Sequence, residues 1–413
     1  MILSKIKKNE MVWNEIIRDE FKKSINEKIK NIIFILNQVP QQQIDLFSGK
    51  AGLSIILFYY ANFINKDNHA KKALEVISQL FEKTENDFIH HSFAGGLAGI
   101  GWVIEHLEQN AYLECKTDEI IGELDEFLYK KMIEDLNKNT YDYLHGASGI
   151  ALYLLNRKRL PETNKYLAEY VDLLEKIGEE EINKYKWLSN NAIDEKKDVF
   201  NLSLSHGISS LIIILSKIYS LDINKDKTFK LLNGAVNYLL ANEQDFYNIG
   251  SHFPNWISIN SNTQKSRLAW CYGDLGIGIA LWLTGKNANN SKWQNKALEI
   301  LLHTTQRKDL QENFVLDAGL CHGTAGIAHI YNRMYNYTQR DEFKQAALYW
   351  FDQTLKMAKF EDGLAGYKTW RSIEYGGWQN DYGLLTGIAG IGLALISAVS
   401  DIEPAWDECL LLS

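Results

Sequence analysis

Only four prolines (Pro40, Pro161, Pro254, Pro404) and four cysteines (Cys115, Cys271, Cys321, Cys409) occur in the 413 residues. Four cysteines are too few for a disulfide scaffold in a chain of this length, so a special cysteine here would be a metal ligand or a nucleophile. No apolar run reaches the roughly 18 residues that a membrane-spanning helix needs. The net charge is −8 and no Lys/Arg block stands out, so the chain has no electrostatic footprint for nucleic acid. The start, Met1-Ile2-Leu3-Ser4-Lys5, runs into charges rather than the apolar core of a signal peptide, which predicts a cytoplasmic protein. Helix breakers are nearly absent, yet the 28 glycines match ordinary usage. Length alone would suggest two or three domains.

The glycines carry an internal repeat. A cassette of Gly-x-x-Gly followed by an apolar run recurs at Gly49–Gly52, Gly96–Gly99, Gly146–Gly149, Gly273–Gly276, Gly323–Gly326 and Gly387–Gly390. A seventh copy begins at Gly207 and has Ser210 for the second glycine. Between first glycines the steps are 47, 50, 61, 66, 50 and 64 residues. Gly363-Leu-Ala-Gly366 is excluded because the Tyr367-Lys-Thr-Trp that follows is not an apolar helix. After each true cassette comes a nearly continuous apolar stretch, such as Leu53–Tyr60 or Leu211–Leu215, which suits a helix buried all round. Amphipathic stretches with one charged face, such as Ala70–Phe81 and Lys344–Leu355, lie between them. Outer helix, glycine turn and inner helix alternate seven times. Such hairpins need neighbours on both sides, and a closed ring leaves no end hairpin to cap. The prediction is an all-α protein, a double-layered α/α toroid of seven inner and seven outer helices, with residues 1–413 as one domain. An open α-solenoid is the competing architecture. Glycine at these turns implies either φ > 0 or a backbone approach too close for a side chain.

Residues just before the first glycine share one register, and some of them carry chemistry. Cys271-Tyr272, Cys321-His322, Ser205-His206 and Leu144-His145 occupy it. Copies one, two and seven place Phe47-Ser48, Ala94-Gly95 and Leu385-Thr386 there. Either cysteine alone would read as a buried small hydrophobe. Their common register, one repeat apart and with His322 adjacent, instead points to a site of two thiolates and one imidazole, the donor set zinc favours. Three protein ligands leave a fourth tetrahedral position open, as in catalytic zinc centres. His206 is the candidate general acid or base. Asp142 could hold its ring or could be a turn residue, and Arg267 could balance Asp142, face an anionic intermediate or lie on the surface. Cys115 and Cys409 have no such company.

Trp270-Cys271-Tyr272-Gly273, Cys321-His322-Gly323, Ser205-His206-Gly207 and Tyr141-Asp142, set among seven glycine cassettes, resemble the lanthionine synthetase C-like family, in particular the freestanding cyclases of lantibiotic biosynthesis. The resemblance spans essentially the whole chain. It implies the α/α toroid, one Zn2+ held by Cys271, Cys321 and His322, and Asp142, His206, Arg267 and Tyr272 around the metal. It also implies a dehydrated precursor peptide as substrate, and a dehydratase and an ABC-type exporter as partners that would bring the protein to the inner face of the membrane. Ser210 departs from the usual glycine, and His145 has no role to carry over. Some family members carry a small β-rich insertion between the fourth and fifth cassettes; residues 246–262, with Pro254, Trp256, Ile257 and Ile259, fit a short version poorly.

The implied reaction adds a peptide cysteine thiol to a dehydroalanine or dehydrobutyrine of the same peptide and closes a thioether ring. His206 would serve as acid and base, Asp142 would orient it, and Arg267 or Tyr272 would face the developing charge. The aromatic stretch Tyr367–Tyr382 would line the peptide groove or pack as an ordered surface loop. Three alternatives stay open: a zinc-containing peptide-binding scaffold, a glutathione-adding enzyme, and a prenyltransferase-like α/α barrel. The last would show six hairpins and a mixed carboxylate, cysteine and histidine ligand set.

Overall fold

The computed structural model describes residues 12–38, 43–84, 89–157, 160–189, 199–258 and 264–413; the chain start, Pro40, Ile259 and Asn262 lie outside them. The helices alternate as the repeat predicts. Inner helices run Lys50–Ile64, Leu97–Gln109, Ala147–Asn156, Ile208–Ser220, Asp274–Asn287, Thr324–Thr338 and Ile388–Val399. Each starts at the residue after a cassette's first glycine. Outer helices run Asp19–Leu36, Asp67–Thr84, Thr117–Asn137, Pro161–Ile177, Lys225–Ala241, Ser291–Thr304 and Asp341–Lys356. Every residue of Ile388–Val399 and of Ala147–Asn156 is buried, which is why those sequences lack a polar face. The outer helices bury one stripe, for example Phe343, Ala346, Ala347, Trp350 and Phe351, and turn Lys and Glu outward.

By contacts the chain groups into two compact units. One comprises Met1–His90, Val103–Thr117 and Asp309–Glu408; the other comprises His91–Trp102, Asp118–Lys308 and Cys409–Ser413. In the first unit the last cassette meets the first: the Leu384 and Leu385 N–H groups donate to the Phe47 carbonyl at 2.7 and 3.2 Å. The two ends of the repeat are therefore neighbours, which an open solenoid does not allow. In the same unit the Cys321 N–H donates to the Leu385 carbonyl at 2.9 Å. In the second unit Ala94 donates to Leu144 at 2.8 Å, and Leu204 donates to Cys271 at 3.1 Å. The buried C-terminal residues are tied there by the Trp270 indole, which donates to the Leu410 carbonyl at 2.7 Å, and by the Tyr143 hydroxyl, which donates to Cys409 at 2.7 Å.

Of the two reasons for glycine, close approach dominates. Of Gly49, Gly146, Gly207, Gly273, Gly323 and Gly387 only Gly273 has positive φ, at 91°, and the others are extended. The second glycine meets the carbonyl six residues earlier, because the turn folds back over the helix start. A Cβ on Gly326 would lie 1.9 Å from the Leu320 oxygen, and one on Gly390 would lie 1.9 Å from the Leu384 oxygen. Gly326→Ala should therefore cost about 3 kcal/mol or more in denaturant unfolding, since backbone cannot yield as a side chain can. Gly122→Ala, where nothing lies within 4 Å, should be neutral or stabilising by about 1 kcal/mol. Ser210 fits its turn by donating its hydroxyl to the Gly207 carbonyl at 2.7 Å.

A buried histidine makes stability depend on pH. His106 lies 3.2 Å from the Tyr59 hydroxyl, and burial pushes its pKa down to about 4. The unfolded chain takes a proton at this residue near pH 6.5, whereas the folded chain resists until about 4. Stability is thus complete above pH 6.5 and falls as the pH drops towards 4, by about 3 kcal/mol from this residue. Urea unfolding at neutral pH and at pH 5 should show the loss, and His106→Gln should reduce it.

The segment after Lys225–Ala241 is compact and only slightly β. Residues Phe246–Ile249 form one short helix, and Trp256–Ile257 pairs antiparallel with Phe200–Asn201. Gly363–Gly366 forms a turn closed by a Leu364–Tyr367 bridge and starts no helix. The aromatic stretch is a hairpin, Thr369–Trp370 against Trp378–Gln379, with Trp370 and Trp378 rings 5.2 Å apart. Its tip leaves Ile373 and Tyr375 exposed.

Candidate active site

Four loops that precede inner helices supply the site residues. In one unit the loop before Ala147–Asn156 carries buried Asp142, whose two oxygens do different work. Oδ1 accepts the His145 N–H at 2.6 Å and fixes the turn. Oδ2 lies 2.6 Å from His206 Nδ1. The turn role and the ring-holding role suggested by the sequence are therefore both filled, one by each oxygen. His206 begins on a fixed backbone: its N–H donates to the Ser203 hydroxyl at 3.1 Å. With Nδ1 on a carboxylate, the neutral ring carries its proton there and leaves Nε2 as the atom that can exchange one.

The Cys271 loop is stitched to the His206 loop. The Cys271 carbonyl accepts the N–H groups of Leu204 and Ser205 at 3.1 and 3.3 Å and the Ser205 hydroxyl at 3.3 Å. Tyr272 follows, its ring 6.3 Å from that of His206, and its hydroxyl accepts from the Asn201 amide at 3.3 Å. Trp256 meets the Tyr272 ring edge-on at 6.4 Å. His145 stacks on His206 at 5.9 Å, a place beside the candidate acid–base residue that the sequence did not assign to it. Arg267 is half-buried, and its carbonyl lies where a Cβ on Gly273 would be, which together with the positive φ makes glycine obligatory there.

Cys271, Cys321 and His322 form a group that could hold a metal ion, each offering one ligand atom, with these atoms within 4.8 Å of one another. Among the described residues no other group of three such side chains meets that condition. Two sulfurs and a nitrogen, buried or half-buried, suit zinc far better than magnesium or calcium, which take oxygen ligands. Cys409 is fully buried, and Cys115 is half-buried with its thiol pushed up by burial and by Glu108 and Glu105, so neither resembles an activated thiol.

Sequence reasoning missed Asp317. This buried residue lies with Oδ2 3.5 Å from His322 Nε2. Burial pushes its carboxyl up, but the hydrogen bond and charge of His322 and the N–H groups of Trp370 and Gly319 outweigh this and hold it below its usual range. The available signal was Asp-x-Gly placed six residues before a first glycine, at Asp317-Ala-Gly319 and again at Asp381-Tyr-Gly383.

Alternating inner and outer helices, opened by glycine turns, define a helical repeat protein with a two-cysteine, one-histidine group that could hold a metal ion. The family model for lanthionine synthetase C-like proteins matches residues 40–411, and the chain belongs to that family. The nisin biosynthesis protein NisC of Lactococcus lactis subsp. lactis is 24% identical over 95% of this chain and 96% of its own. The glutathione S-transferase LANCL1 of Danio rerio is 21% identical over 78% of each chain. The solved structure of nisin cyclase superposes with a TM-score of 0.74 at 19% identity, covering 96% of this chain and 98% of that one. Together with the helix order, this match establishes the α/α toroid as the fold class. Among the described residues no helix is long and apolar enough to cross a membrane.

Proposed function

We propose that this protein is a lanthionine cyclase that works as a single lanthionine synthetase C-like domain. It adds a cysteine thiol of a dehydrated precursor peptide to a dehydroalanine or dehydrobutyrine of the same peptide, forming a carbon–sulfur bond. The observation that carries this reading is the Cys271, Cys321 and His322 group. A zinc ion held by these residues would lower the pKa of the incoming thiol and present it as a thiolate.

The remaining work falls to the chain's own side chains. Attack at the β-carbon places the electron pair of the double bond on the α-carbon and its carbonyl. The thiol proton leaves and the α-carbon gains one, so the product has the mass of the reactant. His206 Nε2 exchanges that proton, and Asp142 at 2.6 Å from Nδ1 keeps the ring in the productive tautomer and steadies its charged form. Tyr272 and Arg267 supply a hydroxyl and a guanidinium for the negative charge that grows on the carbonyl. A dehydratase and an exporter fit this chemistry as partners, one making the alkene and one removing the product, and would draw the protein to the cytoplasmic face of the membrane.

The test is to incubate zinc-loaded protein with a dehydrated precursor and count alkylatable thiols with time. Loss of thiols at constant mass supports cyclisation. Unchanged thiols would replace it with a peptide-binding scaffold. Since one relative is named a glutathione S-transferase, glutathione belongs in a parallel reaction; a mass increase of one glutathione would assign the same centre to intermolecular addition.

A further inference from the structure

Asp317 is pinned more tightly than a loop carboxylate needs to be. Oδ1 accepts the Gly319 N–H at 3.0 Å, and Oδ2 accepts the Trp370 N–H at 3.0 Å while facing His322 Nε2 at 3.5 Å. Its backbone carbonyl accepts the Thr324 N–H at 3.1 Å, in the first turn of the inner helix. The carboxylate can therefore neither rotate nor withdraw.

The next repeat shows that the loop builds this pairing. Asp381 has the same spacing: Oδ1 accepts the Gly383 N–H at 2.7 Å and Oδ2 accepts the Thr386 hydroxyl at 2.6 Å. Thr386 occupies the register position that His322 occupies one repeat earlier. Each loop thus sets the residue before its first glycine against the carboxylate six residues before that glycine. The hairpin braces both loops. Trp370 reaches Asp317, Arg371 reaches Asp381 Oδ2 at 2.8 Å, and the Thr369 hydroxyl donates to the Thr386 carbonyl at 2.7 Å. Threonine in the seventh copy leaves a structural contact, whereas histidine in the sixth places an imidazole of the metal-binding group against a fixed anion.

We propose that Asp317 is a positioning residue that holds the His322 proton on Nε2, so that Nδ1 is the nitrogen presented to the metal, with the Trp370 N–H as the brace that aims the carboxylate. A neutral imidazole carries one ring proton, and an anion on one nitrogen selects the tautomer and makes the other a stronger donor. The proposal rests on the metal reading of the Cys271, Cys321 and His322 group.

The test compares wild-type protein and Asp317→Asn, each loaded with zinc and, separately, with cobalt(II). Asparagine turns an N–H towards one of the two donors that Oδ2 receives. Zinc affinity by chelator competition should fall about 10- to 100-fold. The cobalt absorption bands should shift, and the unfolding midpoint of the metal-free protein should stay close to wild type, which a purely structural role would not produce. An affinity within about threefold of wild type and an unchanged cobalt spectrum would overturn the proposal. If the variant does not fold, the cobalt-loaded wild type decides: a hyperfine-shifted His322 Nε2 proton, slow to exchange with solvent, is expected, and its absence overturns the assignment. Wild-type protein that binds neither metal would sink the metal reading itself, an outcome distinct from a wild type that binds and a variant that matches it.

Discussion

Cys321→Ala should abolish metal retention and thioether formation together. Removing one of three protein ligands leaves one sulfur and one nitrogen, too few to hold a zinc ion against dilution or a mild chelator. The thiol of the substrate then returns to its ordinary acidity and is mostly protonated at neutral pH. The lost charge stabilisation is several kcal/mol, and each 1.4 kcal/mol is about tenfold, so cyclisation should fall by about 10³-fold or more. Metal content by elemental analysis and thiol loss on a dehydrated peptide measure the two effects on one sample. Cyclisation at the wild-type rate by metal-free Cys321→Ala would remove the metal from the mechanism. Cys115→Ala is the control, since that residue is outside the group and should change neither.

The second large effect separates proton transfer from metal binding. His206→Ala should retain stoichiometric zinc while cyclisation falls by about 10²- to 10⁴-fold, the range general acid–base residues contribute. In the proposed mechanism the two functions reside on different side chains, because Asp142 holds Nδ1 of His206 whereas Cys271, Cys321 and His322 form the group that could hold a metal. Asp142→Asn should follow the same pattern with a smaller loss, since the amide keeps a hydrogen bond but disturbs the tautomer. Zinc lost from His206→Ala would refute the assignment.

Much of the protein was legible as spacing. Thirteen of the 28 glycines sit in the seven cassettes, and the apolar runs behind them are inner helices in the structure. Cys271, Cys321 and His322 could be selected because they share one register. What register cannot supply is orientation across the repeat. His206 and Asp142 are 64 residues apart, and their 2.6 Å contact follows from how two neighbouring loops are stitched, not from any local pattern. The Asp317–Trp370 bond, across 53 residues, depends likewise on a hairpin that composition showed only as aromatic. The glycines were correctly placed but only half explained: whether a turn needs positive φ or merely an absent Cβ depends on the carbonyl packed against it.

Composition and period, by themselves, determined the class of fold, because helices buried all round need apolar sequence without proline and turns that fold back on themselves need glycine. They also singled out Cys271, Cys321 and His322 as a group that could hold a metal ion. The tertiary structure decided which oxygen of Asp142 meets His206, which nitrogen of His322 faces Asp317, and that the last loop bonds to the first. Hydrogen bonds are directional and reach about 3 Å, so only the folded chain assigns them, whereas hydrophobic periodicity is non-directional and is already written along the chain.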